Sequence, residues 1–124
     1  MVDIVKVAIT TNGSGAFSST VAVPSGAFVQ YRYVPHASTP LDTGADLDIT
    51  GATTGFVYAN QDDIGTSAFS KAPRIATHDV AGVASLYAAA GEPVEAAAFV
   101  GEPLTVTIAN GGDTLSGTLY MWIA

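Results

Sequence analysis

The chain has 124 residues, enough for one domain with its own core, and its composition argues against several classes of protein. Acidic residues outnumber basic residues 11 to 4, for a net charge of −7. The four bases, Lys6, Arg32, Lys71 and Arg74, form no cluster in the sequence, so binding of nucleic acid through its phosphates is not expected. Cysteine is absent, which excludes disulfides and thiolate chemistry.

Only 12% of the residues are charged, although the pattern of apolar residues does not predict a membrane protein. The longest uncharged stretch, residues 7–31, is interrupted by TTNGSG and PSG. The beginning, MVDIVKVAIT, lacks the basic region and long apolar core of a signal peptide. A soluble chain so poor in charge is expected to bury part of its surface in an assembly, the alternative being a monomer with a neutral surface of small residues.

Short runs of alternating apolar and small polar residues between glycines and prolines predict an all-β protein. In the first predicted strand, VDIVKVAIT, Val5, Val7 and Ile9 share one face. The later predicted strands, in chain order, are FSSTVAV, AFVQYRYV, GADLDIT, FVYAN, RIATHD, VEAAAFV, LTVTIA and TLSGTLYMWI. The prediction is a single-domain antiparallel β-sandwich spanning residues 1–124, jelly-roll-like and with about eight strands.

Three segments between or within these strands allow further expectations. Regular alternation in AFVQYRYV places Val29 on the face of Tyr31 and Tyr33, and Phe28 on the opposite face. The segment QDDIGTSAFSKAP predicts a loop. The segment VAGVASLYAAAG fits either a single helical turn or an extended conformation.

The strongest hairpin signal is the pair LTVTIA and TLSGTLYMWI, joined by NGGD, whose residues tolerate positive φ. In the second of these strands, Leu119, Met121 and Ile123 share the predicted core face. The opposite face becomes aromatic at Tyr120 and Trp122, where solvent is expected.

Val2 and Ile4, at the other end of the chain, also lie on the predicted solvent face. Either a loop or the second sheet covers these residues and Tyr120 and Trp122, or the four form a subunit contact. The low charge and the enrichment of tyrosine and tryptophan in interface cores favour the contact for part of the set. Arg32 and Arg74 are secondary contact candidates, because arginine is common at interfaces, although each also fits an ordinary surface ion pair.

The sequence predicts no catalytic, cofactor or metal site. His36 and His78 are far apart and no cysteine accompanies them, which is weak support for zinc. No G-x-S-x-G motif marks a serine nucleophile. The carboxylates of DTGADLD do not have EF-hand spacing, so solvated aspartates are favoured over calcium ligands.

From Leu41 onward, the segments LDTGADLDITG, PRIATHDVAG and LTVTIANGGDTLSGTLYMWI resemble a family of small structural proteins of tailed-bacteriophage virions. The matching positions are Gly44–Asp46, Pro73–Arg74, His78–Asp79, Gly111–Gly112 and Ser116–Thr118.

The resemblance implies a non-enzymatic protein, preferably a capsid decoration (cement) protein that binds and stabilises the shell of major capsid protein. It also implies self-association, with a trimer favoured, and a location on the outer surface of the head after synthesis in the host cytoplasm.

Other functions stay open at this point. The resemblance does not exclude a head fibre, a head-closure part or a tail component. A carbohydrate-binding jelly-roll module would use loop aromatics, for which the sequence offers Phe69, Tyr87 and Phe99. A small hydrolase ranks lowest, because no constellation of acid, base and nucleophile is evident.

Overall fold

The computed structural model describes residues 2–88 and 91–124, and within them the chain forms ten β-strands and no helix. The strands are β1 (Asp3–Thr10), β2 (Phe17–Val21), β3 (Gly26–Pro35), β4 (Asp46–Gly51), β5 (Val57–Gln61), β6 (Phe69–Lys71), β7 (Arg74–Ala76), β8 (Glu95–Val100), β9 (Leu104–Ala109) and β10 (Ser116–Ile123). No helix long and apolar enough to span a membrane occurs in these two ranges. The predicted all-β class is confirmed.

The strands form two antiparallel sheets that pack as a sandwich. The larger sheet has the order β1-β10-β3-β8-β7, with β6 also paired to β3, and the smaller has the order β2-β9-β4-β5. Leaving aside the short β6 and β7, the eight main strands pair in a nested way: first with last (β1 with β10), β2 with β9, β3 with β8 and β4 with β5. Nested pairing of eight strands across two sheets is the jelly-roll arrangement, as predicted.

Alternate residues of the long strands fill the space between the sheets. Ala45, Leu47 and Ile49, in and just before β4, are at most 1% exposed, as their alternation predicts. At most 2% exposure is likewise found for Leu104, Val106 and Ile108 on β9 and for Leu119, Met121 and Ile123 on β10. Burying one such side chain contributes roughly 1.5–3 kcal/mol relative to leaving it in water, so this two-sided core is the main source of stability.

The predicted hairpin of LTVTIA and TLSGTLYMWI is wrong. β9 lies in the four-stranded sheet between β2 and β4, whereas β10 lies in the six-stranded sheet between β1 and β3. The turn residues are present, with positive φ at Asn110, Gly112 and Thr114, but they carry the chain across the sandwich. The residues of the turn allow the chain to reverse its direction. The long-range contacts of the nested fold then decide which strands pair.

The alternation predicted for AFVQYRYV is also wrong at its start. The register with β10 shifts between Trp122, paired with Gln30, and Ile123, paired with Phe28, so Val29 is an extra residue in a β-bulge. Phe28 is therefore fully buried and Val29 is 41% exposed. The bulge lets Phe28 and Tyr31 share the core, where their rings pack edge to face at 6.2 Å.

Two further segments have defined structure: one was predicted to be a loop, and for the other a helical turn and an extended conformation were both open. QDDIGTSAFSKAP is not all loop: it contains the buried Ile64 and strand β6. In VAGVASLYAAAG, a turn at residues 79–83 leads to two isolated bridges, from Ala84 to His78 and from Leu86 to Pro93, and the described residues form no helical turn; Ala89 and Ala90 lie outside the described residues. The Asp79 carboxylate accepts hydrogen bonds from the backbone N–H groups of Ala81 and Val83 and so fixes the turn between them.

Candidate interaction surface

The solvent side of the six-stranded sheet carries most of the predicted contact residues. β10 lies between β1 and β3, so each of its outward side chains has a neighbour on both sides. The two cross-strand rows are Ile4–Trp122–Gln30 and Lys6–Tyr120–Arg32. We call these six residues the outer face.

Apolar and aromatic groups on the outer face remain in contact with solvent. Ile4 is 60% exposed, and Tyr120 and Trp122 are half-buried. The rings of Tyr120 and Trp122 lie 6.3 Å apart between centroids and are tilted by 40° to each other. No part of the four-stranded sheet covers this side, because the sheets pack through their opposite faces. The interpretation that the second sheet buries these residues is therefore wrong.

The outer face also combines aromatic rings with positive charge. Lys6 and Arg32 flank Tyr120 on its two sides in register, and both are exposed. The Nη1 group of Arg32 donates to the Ser70 hydroxyl at 3.1 Å, which orients the guanidinium. None of the six residues of the outer face is acidic, although the whole chain has a net charge of −7.

The outward side of the four-stranded sheet is chemically different. Thr20 and Thr105 are cross-strand neighbours whose hydroxyl oxygens lie 3.0 Å apart, and Asp48 lies opposite Thr107. Asp46 and Asp48 are the charged residues on the strands of this sheet, whereas all four bases of the chain lie on strands of the six-stranded sheet. The two sides of the sandwich thus differ in charge and in aromatic content.

Two of the six predicted contact residues stand apart from the outer face. Val2 precedes β1 and is 52% exposed, but it has no partner in the register with β10. Arg74 lies on β7, where it pairs with Ala97 of β8, near the far edge of the same sheet. The structure therefore brings Ile4, Arg32, Tyr120 and Trp122 together.

Sequence reasoning missed Lys6 and Gln30 as members of this surface. A usable signal existed for Lys6, which shares a strand face with Ile4. Gln30 gave the same kind of signal, because it shares a strand face with Arg32, and it pairs with Trp122 in the regular part of the register, before the shift at Ile123. The predicted hairpin would also have placed LTVTIA beside Tyr120 and Trp122, and this is wrong because β9 belongs to the other sheet.

One of the carboxylates considered for calcium, that of Asp46, binds neighbouring connections. Asp46 accepts hydrogen bonds from the backbone N–H of Asp63 at 3.3 Å and from the side-chain amide of Asn110 at 3.1 Å. The Nδ1 atom of His36 accepts the backbone N–H groups of Ser38 and Thr39, both at 3.1 Å. Within residues 2–88 and 91–124, no group of three or more histidine or carboxylate side chains is placed to hold a metal ion.

Comparison of the sequence with protein-family models and with curated proteins yields no match. The outer face is accordingly described by its own chemistry: two aromatic rings and an isoleucine, flanked by two cations, on a rigid sheet.

Proposed function

We propose that this chain is a non-enzymatic structural protein of a bacteriophage virion, a capsid decoration protein, and that the outer face is its contact with a neighbouring subunit. One observation carries the proposal. Four residues chosen from the sequence as contact candidates, from three separate strands, converge on one exposed sheet face. The likeness of the segments from Leu41 onward to phage structural proteins supplies the biological setting.

The physical argument concerns what an exposed aromatic face does. Tyrosine, tryptophan and arginine are the residue types that most often dominate binding energy at interfaces. Here they stand on a central strand and its neighbour, held by main-chain hydrogen bonds, so that little conformational entropy is lost when a partner covers them. Ile4, 60% exposed beside Trp122, adds apolar area that favours association.

The trimer that the resemblance favours is a ring with cyclic symmetry. In such a ring, each contact joins two different surfaces of the subunit, unlike the self-complementary contact of a dimer. The outer face carries Lys6 and Arg32, while the outward side of the four-stranded sheet carries Asp46 and Asp48. A neighbour that offers an acidic surface therefore complements the outer face. The trimer then binds the major capsid protein on the outer surface of the head.

The carbohydrate-binding alternative has less support than the sequence suggested. Phe69 lies on β6, partly buried, with its ring 6.0 Å from those of Tyr31 and Tyr33. Phe99 lies on β8 rather than in a loop. The 40° tilt between Tyr120 and Trp122 also departs from a flat platform for a sugar ring. Head fibre, head-closure and tail positions remain the alternatives within the virion.

Light scattering of the purified chain over a range of concentrations tests the subunit contact. We expect a trimer for the wild type and a shift to monomer for Trp122→Ala and Tyr120→Ala. Tyr87→Ala is the matched control, since Tyr87 is an aromatic residue 77% exposed outside the outer face, and its loss should leave the mass unchanged. The proposed contact would be contradicted if the wild type were a monomer at all concentrations, or if Trp122→Ala formed a trimer as stable as that of the wild type.

The location is tested by cryo-electron microscopy of heads of the virus that encodes the chain, with and without added protein. Density for the sandwich on the outside of the shell, at local symmetry axes, supports the decoration role. Density confined to the neck or tail would replace it with one of the alternatives. Virions that contain no copy of the chain would reject a structural role altogether.

A further inference from the structure

An apolar cleft of about 460 Å³ opens at the edge of the sandwich, away from the outer face. It lies between the β4–β5 connection of the smaller sheet and β7 and β8 of the larger one. We call it the edge cleft. Its main lining residues are Thr54, Phe56, Tyr58, Ile75, Phe99 and Glu102. This volume is within the range of small-ligand sites, roughly 300–1,000 Å³.

A β-bulge places the central ring of the edge cleft. Thr50 pairs with Val57 and Ile49 pairs with Ala59, which leaves Tyr58 as the extra residue of β5. Bulges commonly re-aim a side chain. Here the ring of Tyr58 lies 6.1 Å from that of Phe28 in the core, so one side of the cleft is anchored to the sandwich interior.

Aromatic groups dominate the cleft and are held in a fixed arrangement. The rings of Phe56 and Tyr58 meet at 4.9 Å with an angle of 63° between their planes. The Tyr58 hydroxyl donates to the backbone carbonyl of Phe99 at 3.4 Å, which ties β5 to β8. Phe56 and Phe99 nevertheless remain 45% and 68% exposed, large fractions for phenylalanine. The cleft thus offers ring surface that nothing in the described chain covers.

Glu102 adds a fixed negative charge to this aromatic lining. Its Oε1 atom accepts the backbone N–H groups of Thr53 and Thr54, both at 2.9 Å, and its Oε2 atom accepts the Thr54 hydroxyl at 2.7 Å. A carboxylate has about four acceptor positions, so Oε2 keeps one for a ligand. The hydrogen bonds from Thr54 lower the pKa of Glu102 and so favour its ionised form.

No positive charge in the cleft neutralises this carboxylate, because none of the lining residues is basic. The whole chain is also negative, with a net charge of −7. Three aromatic rings beside an uncompensated carboxylate favour a cationic ligand, since ring faces attract cations and the carboxylate adds a charge-assisted hydrogen bond.

We propose that the edge cleft binds an arginine side chain presented by a partner protein. The guanidinium is flat and weakly hydrated, so it stacks on aromatic rings and still donates to a carboxylate in its own plane. In this arrangement the guanidinium lies among Phe56, Tyr58 and Phe99 and donates one N–H to Oε2 of Glu102. An aliphatic anchor would use the rings but would leave the remaining acceptor position of Oε2 unused.

Nuclear magnetic resonance titration of the wild-type chain tests the proposal independently of the assembly role, because it needs neither a trimer nor a shell. The probe is N-acetyl-arginine-N-methylamide, and the matched control is the citrulline analogue, which has nearly the same shape without the charge. We expect arginine to shift the ring signals of Phe56, Tyr58 and Phe99 and the amide signals of Thr53 and Thr54. Citrulline should bind more weakly by about two- to fivefold or more, the value of a solvent-accessible cation–π contact.

Variants identify the groups responsible. Glu102→Gln keeps an oxygen that can accept the N–H groups of Thr53 and Thr54 but removes the charge. It should weaken the binding of arginine, because the charge-assisted hydrogen bond is lost, while the contact between the cation and the rings remains. Phe99→Ala should also weaken binding while leaving the fold intact, because Phe99 is 68% exposed, and Tyr87→Ala should have no effect. Equal binding of arginine and citrulline, no loss in either cleft variant, or absence of shifts in the cleft would each overturn the proposal.

Discussion

Trp122 faces Ile4 across the β1–β10 pair on the solvent side of the sheet, while the preceding residue, Met121, faces Val5 on the core side. Met121 is fully buried, whereas Ile4 is 60% exposed. Consecutive residues of one strand therefore have different roles: Met121 packs the core, and Trp122 belongs to the outer face.

This difference predicts that substitutions at the two neighbouring residues affect different properties, the stability of the monomer and its association. Met121→Ala should lower the free energy of unfolding of the monomer by about 2–5 kcal/mol, because it leaves a cavity in the core. Trp122→Ala should cost about 1 kcal/mol or less in the monomer and act mainly on association. Unfolding by denaturant should be followed by circular dichroism, because Trp122→Ala removes the single tryptophan and with it the fluorescence signal. The measurement should be made at protein concentrations where the wild type is dissociated, so that association does not contribute to stability. A larger loss for Trp122→Ala than for Met121→Ala would make Trp122 an anchor within the subunit.

The bulge in β3 predicts which of two adjacent apolar residues is essential. Phe28→Ala should cost about 3–5 kcal/mol, because Phe28 is fully buried. Val29→Ala should change stability by no more than about 0.5 kcal/mol, as at an ordinary surface position, because Val29 projects into solvent. Urea unfolding of both variants decides the matter. The reverse order would restore the regular alternation expected from the sequence.

Gly117 predicts a steric limit in β10. A β-carbon at this position would lie 2.6 Å from the hydroxyl oxygen of Tyr33 and 2.7 Å from a carbon of its ring, closer than such atoms approach. Tyr33 is fully buried and cannot swing aside. Gly117→Ala should therefore destabilise by about 1–3 kcal/mol, the usual cost of overpacking a core.

Gly55→Ala provides a contrast for that measurement, since a β-carbon there meets nothing within 4 Å and only the positive φ of 72° opposes it. Adding Tyr33→Phe to Gly117→Ala should recover only part of the loss, because the ring carbon still clashes. If Gly117→Ala unfolded on heating at the same midpoint temperature as the wild type, the contact between β10 and β3 would be looser than described, and the prediction would be wrong.

Two core tyrosines predict a loss of stability in alkaline solution. Burial raises the pKa of Tyr31 and of Tyr33 to about 12. An unfolded tyrosine titrates near pH 10, so between about pH 10 and 12 the unfolded chain loses its protons first. The stabilisation from these groups is thus complete below pH 10 and is lost as the pH rises through 12, by up to about 1.4 kcal/mol per pH unit for each tyrosine.

Tyr31→Phe isolates this effect from that of other titrating groups. The variant keeps the ring but removes one ionisable hydroxyl, so its stability should fall less steeply than that of the wild type above pH 10. Urea unfolding at several pH values from 8 to 11.5 gives the two slopes. Parallel slopes would mean that Tyr31 ionises as readily in the folded protein as in the unfolded chain.

Much of the local structure was predictable because it depends on neighbours in the sequence. Alternation with a period of two gives the inward residues of β4, β9 and β10, since successive side chains of a strand point to opposite sides. The scarcity of charge and the aromatic residues Tyr120 and Trp122 led to the prediction that part of the solvent side forms a subunit contact. These features required no knowledge of which strands are adjacent.

The pairing of strands could not be predicted in this way. NGGD is compatible with a hairpin, yet β9 and β10 lie in different sheets, because nested pairing buries both of their apolar faces at once. The bulges at Val29 and Tyr58 likewise leave no signal in composition, since an extra residue is recognised only against its partner strand. The edge cleft exists only because residues from three separate segments, 54–58, 75 and 98–102, meet there.

An acidic, cysteine-free, all-β chain with strands of defined inner and outer residues is evident from the order of the amino acids. Tertiary structure alone decided that β10 lies between β1 and β3, and thereby that Lys6, Tyr120 and Arg32 form one row. The two differ in the sequence separation of the contacts involved. Alternation is set by the geometry of a single strand, whereas strand order is set by contacts between residues about a hundred positions apart in the chain.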